Sequence, residues 1–251
     1  EIEETEQTQE EKEKANAKES LYLVNQYAKE AFEKDLWEFS EGMAIGLSYF
    51  RERGFTDETI RFFGLGYAAE KKDHFYQKAL KAGYSEEYLV GTGLVIKKEH
   101  GEVDRFRGRV IFPIRSMAGR VQGFGGRILS NTAKTAKYLN SPESEVYHKS
   151  QVLYGIFESK KAIAKEDICF LVEGYTDVIQ LFQSGIENVV SSSGTALTPE
   201  QIRLIRRLTS NIVVLFDGDA AGLRAAIRGV DLILEQGMNV KICSFPEGED
   251  P

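Results

Sequence analysis

Seven carboxylates in the last third of the chain carry the clearest chemical signal. Glu173 and Asp177 belong to the run Glu173-Gly174-Tyr175-Thr176-Asp177, Asp217 and Asp219 to Asp-Gly-Asp, and Glu247, Glu249 and Asp250 to the final Glu-Gly-Glu-Asp-Pro. Each run follows an apolar stretch that reads as a strand. In extended backbone, residues two apart point the same way, so Asp217 and Asp219 address one point. Carboxylates converging on one point repel one another unless a cation neutralises them. Oxygen ligands select a hard divalent ion, and magnesium, which keeps most of its waters and bridges to phosphate, is the natural occupant. Taken singly, Asp219 would serve equally well as the cap of the helix that follows, and Asp177 would sit favourably in a first helical turn. Acids at three strand ends together favour the metal site.

The elements that must position these acids alternate regularly. Residues 168–172, 188–192, 212–216 and 240–245 are apolar strands, and residues 176–184, 199–208 and 220–236 are helices, the second with Thr198 as its cap and Pro199 at its first position. Strands that are apolar throughout and alternate with helices predict a mainly parallel sheet covered on both faces, with ligands gathered at the carboxyl ends of its strands. Ser191-Ser192-Ser193-Gly194-Thr195 follows the second strand. It either binds phosphate through backbone N–H groups or makes a turn.

The first part of the chain reads as mixed α+β. Residues 1–19 are rich in Glu, Lys and Gln without an apolar face and predict a linker or frayed helix. Leu21, Val24, Tyr27, Ala28, Ala31 and Phe32 then recur at helical spacing over residues 20–34. Further helices are expected at 42–50, 56–63 (with Thr56 as cap), 73–82 and 85–90. Residues 108–115 and 120–127 flank the turn Ser116 to Gly119 and predict a hairpin. The glycines within 123–126 permit either close approach of a ligand or a bulge.

The net charge of −7 argues at first against a nucleic-acid partner, but the charge is unevenly laid out. Residues 1–20 carry eight Glu and three Lys. From Arg105 to Pro142 there is no acid, only Arg105, Arg107, Arg109, Arg115, Arg120, Arg127, Lys134 and Lys137. Such a stretch, interleaved with glycines and aromatics, suggests a surface that tracks phosphates. No apolar run approaches the roughly 20 residues of a membrane span, and the acidic N-terminus is unlike a signal peptide. Cys169 and Cys243 lie far apart without a CxxC, so a reducing, cytoplasmic compartment is expected.

The order strand–Glu-Gly–helix–strand–helix–strand–Asp-Gly-Asp–helix resembles the toprim fold. The upstream segments sharpen the likeness. Arg-Gly-Arg-Val-Ile-Phe-Pro-Ile (107–114), Gly-Arg-Val-Gln-Gly-Phe-Gly-Gly-Arg (119–127), Lys-Tyr-Leu-Asn-Ser-Pro-Glu (137–143), Tyr-His-Lys (147–149), Leu-Tyr-Gly (153–155), Ser-Gly-Thr-Ala (193–196) and Asp-Gly-Asp-Ala-Ala-Gly (217–222) resemble, in order, motifs of DnaG-type bacterial primases. The likeness spans about residues 20–251. It implies an α/β toprim-type, mainly parallel sheet flanked by helices over residues 166–251, preceded by a mixed α+β primase-specific subdomain over 20–165 and an acidic linker at 1–19.

The resemblance also implies a chemistry: templated joining of ribonucleoside triphosphates into an RNA primer on single-stranded DNA. By that likeness Asp217, Asp219 and Asp250 hold Mg²⁺ (or Mn²⁺), in two ions. Glu173 is a ligand or helps to deprotonate the attacking hydroxyl, and Asp177 supports the set. Arg109, Arg127, Lys137 and Lys149 hold triphosphate or template backbone, and Tyr138, Asn140 and Tyr175 shape the nucleotide pocket, which would also accept (p)ppGpp as an inhibitor. The family's zinc-binding domain and helicase-docking helical domain find no counterpart in these 251 residues, so a truncated bacterial, replisome-associated catalytic core is expected. A toprim topoisomerase or nuclease that cleaves DNA, and a non-catalytic DNA-binding module, are the alternatives.

Overall fold

The computed structural model describes residues 9–129, 136–194, 196–216 and 220–244. The chain opens with helix α1 (Gln9–Glu38). Its apolar positions behave as their spacing predicts: Leu21, Val24, Ala28, Ala31, Phe32 and Leu36 are all buried. The helix nevertheless starts eleven residues earlier than its apolar periodicity indicates. Glu, Lys, Gln and Ala are strong helix formers, and adding turns to an existing helix avoids the cost of nucleation.

The expected helix over 42–50 is instead a π-helical turn, Gly42–Leu47, running into the short α2 (Ser48–Glu52). Gly42 is pressed against the α1 backbone so closely that a Cβ would overlap the Asp35 carbonyl oxygen. Helix α3 (Asp57–Phe63) is capped by Thr56, whose Oγ1 accepts the Thr59 N–H at 3.2 Å, and stops at Gly64 with φ 64°. Strand β1 (Gly66–Ala68), α4 (His74–Lys81), α5 (Glu86–Gly91) and the short strands β2 (Val95–Ile96) and β3 (Val103–Asp104) follow.

The predicted hairpin is β4 (Arg109–Arg115) against β5 (Val121–Ile128), closed by Gly119 at φ 88°. Together with β1 and β6 (Tyr138–Asn140), neither of which the hydrophobic pattern revealed, it forms an antiparallel sheet in the order β1-β4-β5-β6. The register is continuous from Gly123 to Ile128 but shifts between Ile114 and Arg115, so the one irregularity falls at Gln122, directly beside Gly123.

Helix α6 (Ile156–Glu166) leads into the second sheet. Strands β7 (Cys169–Val172), β8 (Val189–Ser191), β9 (Asn211–Phe216) and β10 (Asn239–Ser244) alternate with α7 (Tyr175–Gln183), α8 (Pro199–Arg206) and α9 (Ala220–Glu235). Every pair in this sheet is parallel, in the order β10-β9-β7-β8. The helix α8 starts as expected, with Thr198 and Gln201 capping each other's backbone and Pro199 at the first position. Both cysteines are free: Cys169 is buried in β7, and Cys243 is exposed on β10. Among the described residues no helix is long and apolar enough to cross a membrane.

The two sheets share a core. Phe112 and Val110 of β4 join Val172 of β7, Tyr175 and Val178 of α7, and Leu215 of β9 in one buried cluster. A buried ion pair reinforces the joint: Arg115 meets Glu158 of α6 at 3.1 Å and donates to the Phe63 carbonyl at 3.3 Å. Burial pushes the Glu158 carboxyl up, and Arg115 opposes the shift. At the opposite corner the Gln183 amide accepts the Thr56 N–H and donates to the Gly54 carbonyl, at 2.8 and 2.9 Å.

Asp104 caps α4 from a distance. Its two oxygens accept the Phe75 and Tyr76 N–H groups at 2.7 and 3.0 Å from within the core. Burial outweighs those bonds and raises its carboxyl from 3.8 to about 6. The folded protein therefore holds this proton more tightly than the unfolded chain does. That contribution to stability is fully present below about pH 4 and is lost as pH rises through 6. Asp104→Asn cannot titrate. Urea unfolding of both proteins between pH 4 and 6 is expected to show the wild type losing about 2 kcal/mol relative to the variant; a constant difference contradicts the assignment.

Candidate active site

All four parallel strands present their carboxyl ends to one edge. Val172 lies level with Ser191, Leu171 with Val214, and Phe216 with Ser244. Glu173 and Gly174 follow β7 directly, Ser192 to Gly194 follow β8, and β9 ends at Phe216. Asp217, Asp219 and Asp250, which the sequence assigns to this edge, lie outside the described residues. Glu173 is half-buried there. Asp177 stands in the first turn of α7, where Oδ2 accepts the Gly174 N–H at 2.8 Å and Oδ1 accepts the Thr176 hydroxyl at 3.3 Å. It serves the helix start as well as the edge. Among the described residues no group of three or more His, Cys, Asp or Glu is poised to hold a metal ion. Glu173 and Asp177 supply oxygen donors alone, which is the chemistry of a hard cation.

The loop after β8 is a turn whose backbone donors face the protein. Ser193 and Gly194 both take left-handed φ values, 59° and 73°. The Ser193 N–H donates to Ser191 Oγ at 2.8 Å and the Gly194 N–H to the Glu173 carbonyl at 3.3 Å. Ser191 Oγ in turn donates to that same carbonyl at 2.6 Å. Of the two readings of this loop, the turn is the one realised for Ser193 and Gly194.

The antiparallel sheet meets this edge through one row of residues. Phe112 pairs with Gly125, and Gly125 with Asn140. Tyr175, the first residue of α7, lies across that row. Its ring stacks on Phe112 at 4.9 Å and 10°, meets Tyr154 edge-on at 4.8 Å, and its hydroxyl donates to Asn140 Oδ1 at 2.8 Å. Only glycine fits beneath it, since a Cβ at Gly125 would come within 2.6 Å of the ring. The neighbouring glycines are filled likewise, Gly123 by Tyr147 and Gly126 by Phe106. The close approach these glycines allow is therefore made by the protein's own rings. Burial drives the Tyr175 hydroxyl well above its ordinary range, so it stays a donor.

Beside that row, on the same face, Arg127 pairs with Tyr138. The Arg127 guanidinium lies 4.7 Å from the Tyr49 ring and 5.8 Å from the half-exposed Tyr138 ring, and its buried Nε and Nη1 have no hydrogen-bond acceptor among the described residues. Tyr49, on α2, carries no sequence signal; only the fold brings it under Arg127. Lys137 is exposed next to Tyr138. Lys149 sits on a 3₁₀ turn that Gln201 and Thr198 hold by its carbonyls, Gln201 Nε2 to Lys149 O at 3.3 Å and Thr198 Oγ1 to Ser150 O at 2.6 Å.

Arg109 departs from the expected group. It projects from the opposite face of the sheet, is buried, and donates to the carbonyls of Gly126, Ala136 and Lys137 at 3.2–3.4 Å. The acid-free stretch is likewise not one continuous charged surface. Arg105 is bound to the Gly93 carbonyl at 2.6 Å, Arg115 to Glu158, and Arg120 to Glu19 at 2.7 Å with Tyr22 stacked on it at 3.7 Å. Acids distant in sequence supply what the stretch lacks. Arg107, Arg127 and Lys137 have no carboxylate partner among the described residues, and Lys134 lies outside them.

Comparison with known proteins agrees with this architecture. Residues 31–160 match the family "DNA primase catalytic core, N-terminal domain", and residues 170–251 match the family described as "Toprim-like". The DNA primase of Clostridium acetobutylicum is 42% identical over 232 residues, 92% of this chain and 38% of that protein. That of Deinococcus radiodurans is 43% identical over 234 residues, 92% of this chain and 40% of that protein. Among solved structures, the Aquifex aeolicus primase (zinc-binding and RNA polymerase domains) superposes with a TM-score of 0.86 at 34% identity, covering 93% of this chain and 57% of that one. A DnaG primase catalytic domain bound to single-stranded DNA gives 0.83 at 36% identity, covering 94% and 76%. The chain belongs to the DNA primase catalytic-core family, with a toprim-type parallel sheet following the primase-specific unit. It spans about two fifths of the length of the curated relatives it matches.

The seat of Tyr175 is testable through stability. Gly125→Ala is expected to cost about 1–3 kcal/mol in urea unfolding, because the ring is held on three sides and must move. In a double-mutant cycle with Tyr175→Leu the two losses should fall well short of adding; full additivity contradicts the contact.

Proposed function

We propose that this chain is the catalytic core of a bacterial DNA primase, acting in the cytoplasm at the replisome, that joins ribonucleoside triphosphates into an RNA primer on single-stranded DNA. The observation that carries the reading is the meeting of the Glu173 strand end with the Arg127–Tyr138 face, two surfaces that fit a cation and a nucleotide respectively. The primase relative whose structure contains single-stranded DNA supports the choice of template. We take the boundary between the two units to fall at residues 165–166, the end of α6.

Glu173, Asp177, Asp217, Asp219 and Asp250 are the residues we assign to Mg²⁺ or Mn²⁺, in two ions. Bound there, the metal supplies charge neutralisation at the α-phosphate and the departing pyrophosphate. To Glu173, half-buried beside Tyr175, we assign the task of taking the proton of the attacking 3′-hydroxyl. Arg127, Lys137 and Lys149 are assigned to the triphosphate and the template phosphates. Tyr138 offers an exposed ring to a base or ribose, and Arg127 polarises it from beside. Tyr175 and Asn140 form the wall between the units. Arg109 acts indirectly, holding the carbonyls of residues 136–137 so that Lys137 and Tyr138 are presented. The same pocket suits (p)ppGpp, a guanine nucleotide whose polyphosphate chains would meet the same cations. Docking on the replicative helicase belongs to the helical domain of the family's longer members.

A primer-synthesis assay on single-stranded template tests the reading. Ribonucleotide incorporation is expected to need Mg²⁺ or Mn²⁺ and to fall about 100-fold or more in Glu173→Gln and in Asp217→Asn with thermal unfolding unchanged. Normal product from either variant removes its role, and cleavage of supercoiled DNA without incorporation overturns the function. Three phosphate-binding cations predict a slope of about −2 for log affinity against log salt on single-stranded DNA. A flat response rejects the assignment of Arg127, Lys137 and Lys149.

A further inference from the structure

We propose that Asn140 is a positioning residue that acts on the carboxylate edge through two backbone peptides rather than by touching the nucleotide. This rests on the metal-dependent reading above and concerns how that site is held.

The contacts form one directed series. Tyr175 Oη donates to Asn140 Oδ1 at 2.8 Å, and Asn140 Nδ2 donates to the Ser193 carbonyl at 3.3 Å. The Ser193 carbonyl and the Gly194 N–H belong to the same peptide, and that N–H donates to the Glu173 carbonyl at 3.3 Å. The Glu173 carbonyl and the Gly174 N–H are again one peptide, and this N–H donates to Asp177 Oδ2 at 2.8 Å. A hydroxyl, a side-chain amide and two peptide planes thus run head to tail, leaving the parallel unit at Tyr175, crossing Asn140 of the antiparallel sheet and returning to a carboxylate of the parallel unit. All dipoles point the same way, the arrangement in which each bond strengthens the next.

Two features make Asn140 the controlling member. The first is its position: it lies on β6, level with Gly125 and two residues from Tyr138, yet both of its amide contacts reach the other unit. The second is the peptide it grips. Ser193 holds a left-handed φ of 59°, unfavourable for a residue with a Cβ, and Gly194 beside it has φ 73° and open space where a Cβ would be. A peptide next to such a glycine turns over readily. Asn140 pins its carbonyl and the Glu173 carbonyl pins its N–H. Without the first pin the peptide rotates, the Gly194 N–H leaves Glu173, and the Glu173–Gly174 peptide, which carries both the Glu173 side chain and the Asp177 bond, keeps only Ser191 Oγ of the two donors on its carbonyl. Ser191 Oγ, which also donates to the Glu173 carbonyl at 2.6 Å, anchors that oxygen but not the plane of the Ser193–Gly194 peptide. Strand β6 and the metal edge are therefore one mechanical unit.

The test compares the full chain with Asn140→Asp and Asn140→Leu. The aspartate keeps the acceptor for Tyr175 and loses the donor to Ser193, while its added charge alone would tighten a nearby cation. The leucine removes both bonds without adding charge. Mn²⁺ affinity, read by electron paramagnetic resonance without nucleotide, is expected to weaken about 10-fold or more in both, the range seen when a residue that orients metal ligands is lost. Amide exchange at Gly194 and Gly174 should accelerate in both variants while Val190 in β8 keeps its protection. Binding of single-stranded DNA in EDTA should stay within about twofold for Asn140→Leu, where a residue supporting only local folding or the template would change it. Unchanged Mn²⁺ affinity in both variants overturns the proposal. So does loss of DNA binding with exchange at Gly194 and Gly174 unaltered, which would place Asn140 on the template directly. If one variant unfolds, Tyr175→Phe, which keeps the stacked ring and removes only the first donor, is expected to weaken Mn²⁺ by a smaller, two- to threefold factor; no change there counts against the relay. A wild type that binds no Mn²⁺ refutes the metal reading itself, and amide exchange in the variants still decides the hydrogen-bond series.

Discussion

The structure depends on the seating of one ring. Tyr175 begins the first helix of the parallel unit, yet its ring is buried in the antiparallel one, stacked on Phe112 and crossed by Tyr154. The absence of a side chain at Gly125 creates the slot, and Asn140 accepts the hydroxyl at its far end. An aromatic side chain buries a large apolar surface, and its geometry is specific enough to fix an angle as well as a distance. With this ring in place, the carboxyl edge of one sheet and the Arg127–Tyr138 face of the other stand opposite each other. Arg115 with Glu158 and Gln183 with the Gly54–Thr56 backbone hold the same two units together farther out.

Much of this was legible in the sequence, and for identifiable reasons. The alternation of apolar strands with helices after residue 168 carried over nearly residue for residue, because a parallel sheet buried on both faces leaves continuous apolar runs. Thr56, Thr198 and Pro199 marked their helix starts through local hydrogen-bonding rules alone. The hairpin was equally local. Strands β1 and β6 were not legible, since three residues carry too little periodicity and their partners are distant. Helix α6 has a clear face in Ile156, Ser159 and Ile163, a spacing that could have located it. The π-helical turn at Gly42 depends on contact with the α1 backbone, which no local pattern records.

The candidate site divides in the same way. Residue types named the carboxylates and the family resemblance named Arg127, Tyr138 and Asn140, which the observed pairing of β5 with β6 sets on one face. Arg109 lay one step out of phase, and that single step sends it through the sheet to the carbonyls of residues 136–137. The acid-free stretch shows the limit of reading charge along a chain. Its partners, Glu158 and Glu19, come from helices outside it, so a run of eight cations contributes fewer to a ligand surface than its count suggests. Tyr49 could be found only in three dimensions.

The activity proposed for the two facing surfaces is templated nucleotidyl transfer. The most direct measurement supplies single-stranded templates that differ at one base, with each labelled ribonucleoside triphosphate in turn, and follows the label into product with Mg²⁺ and with EDTA. The incorporated ribonucleotide is expected to change with the template base, and EDTA to abolish all product. Incorporation indifferent to the template base, or product formed in EDTA, would contradict the proposed activity.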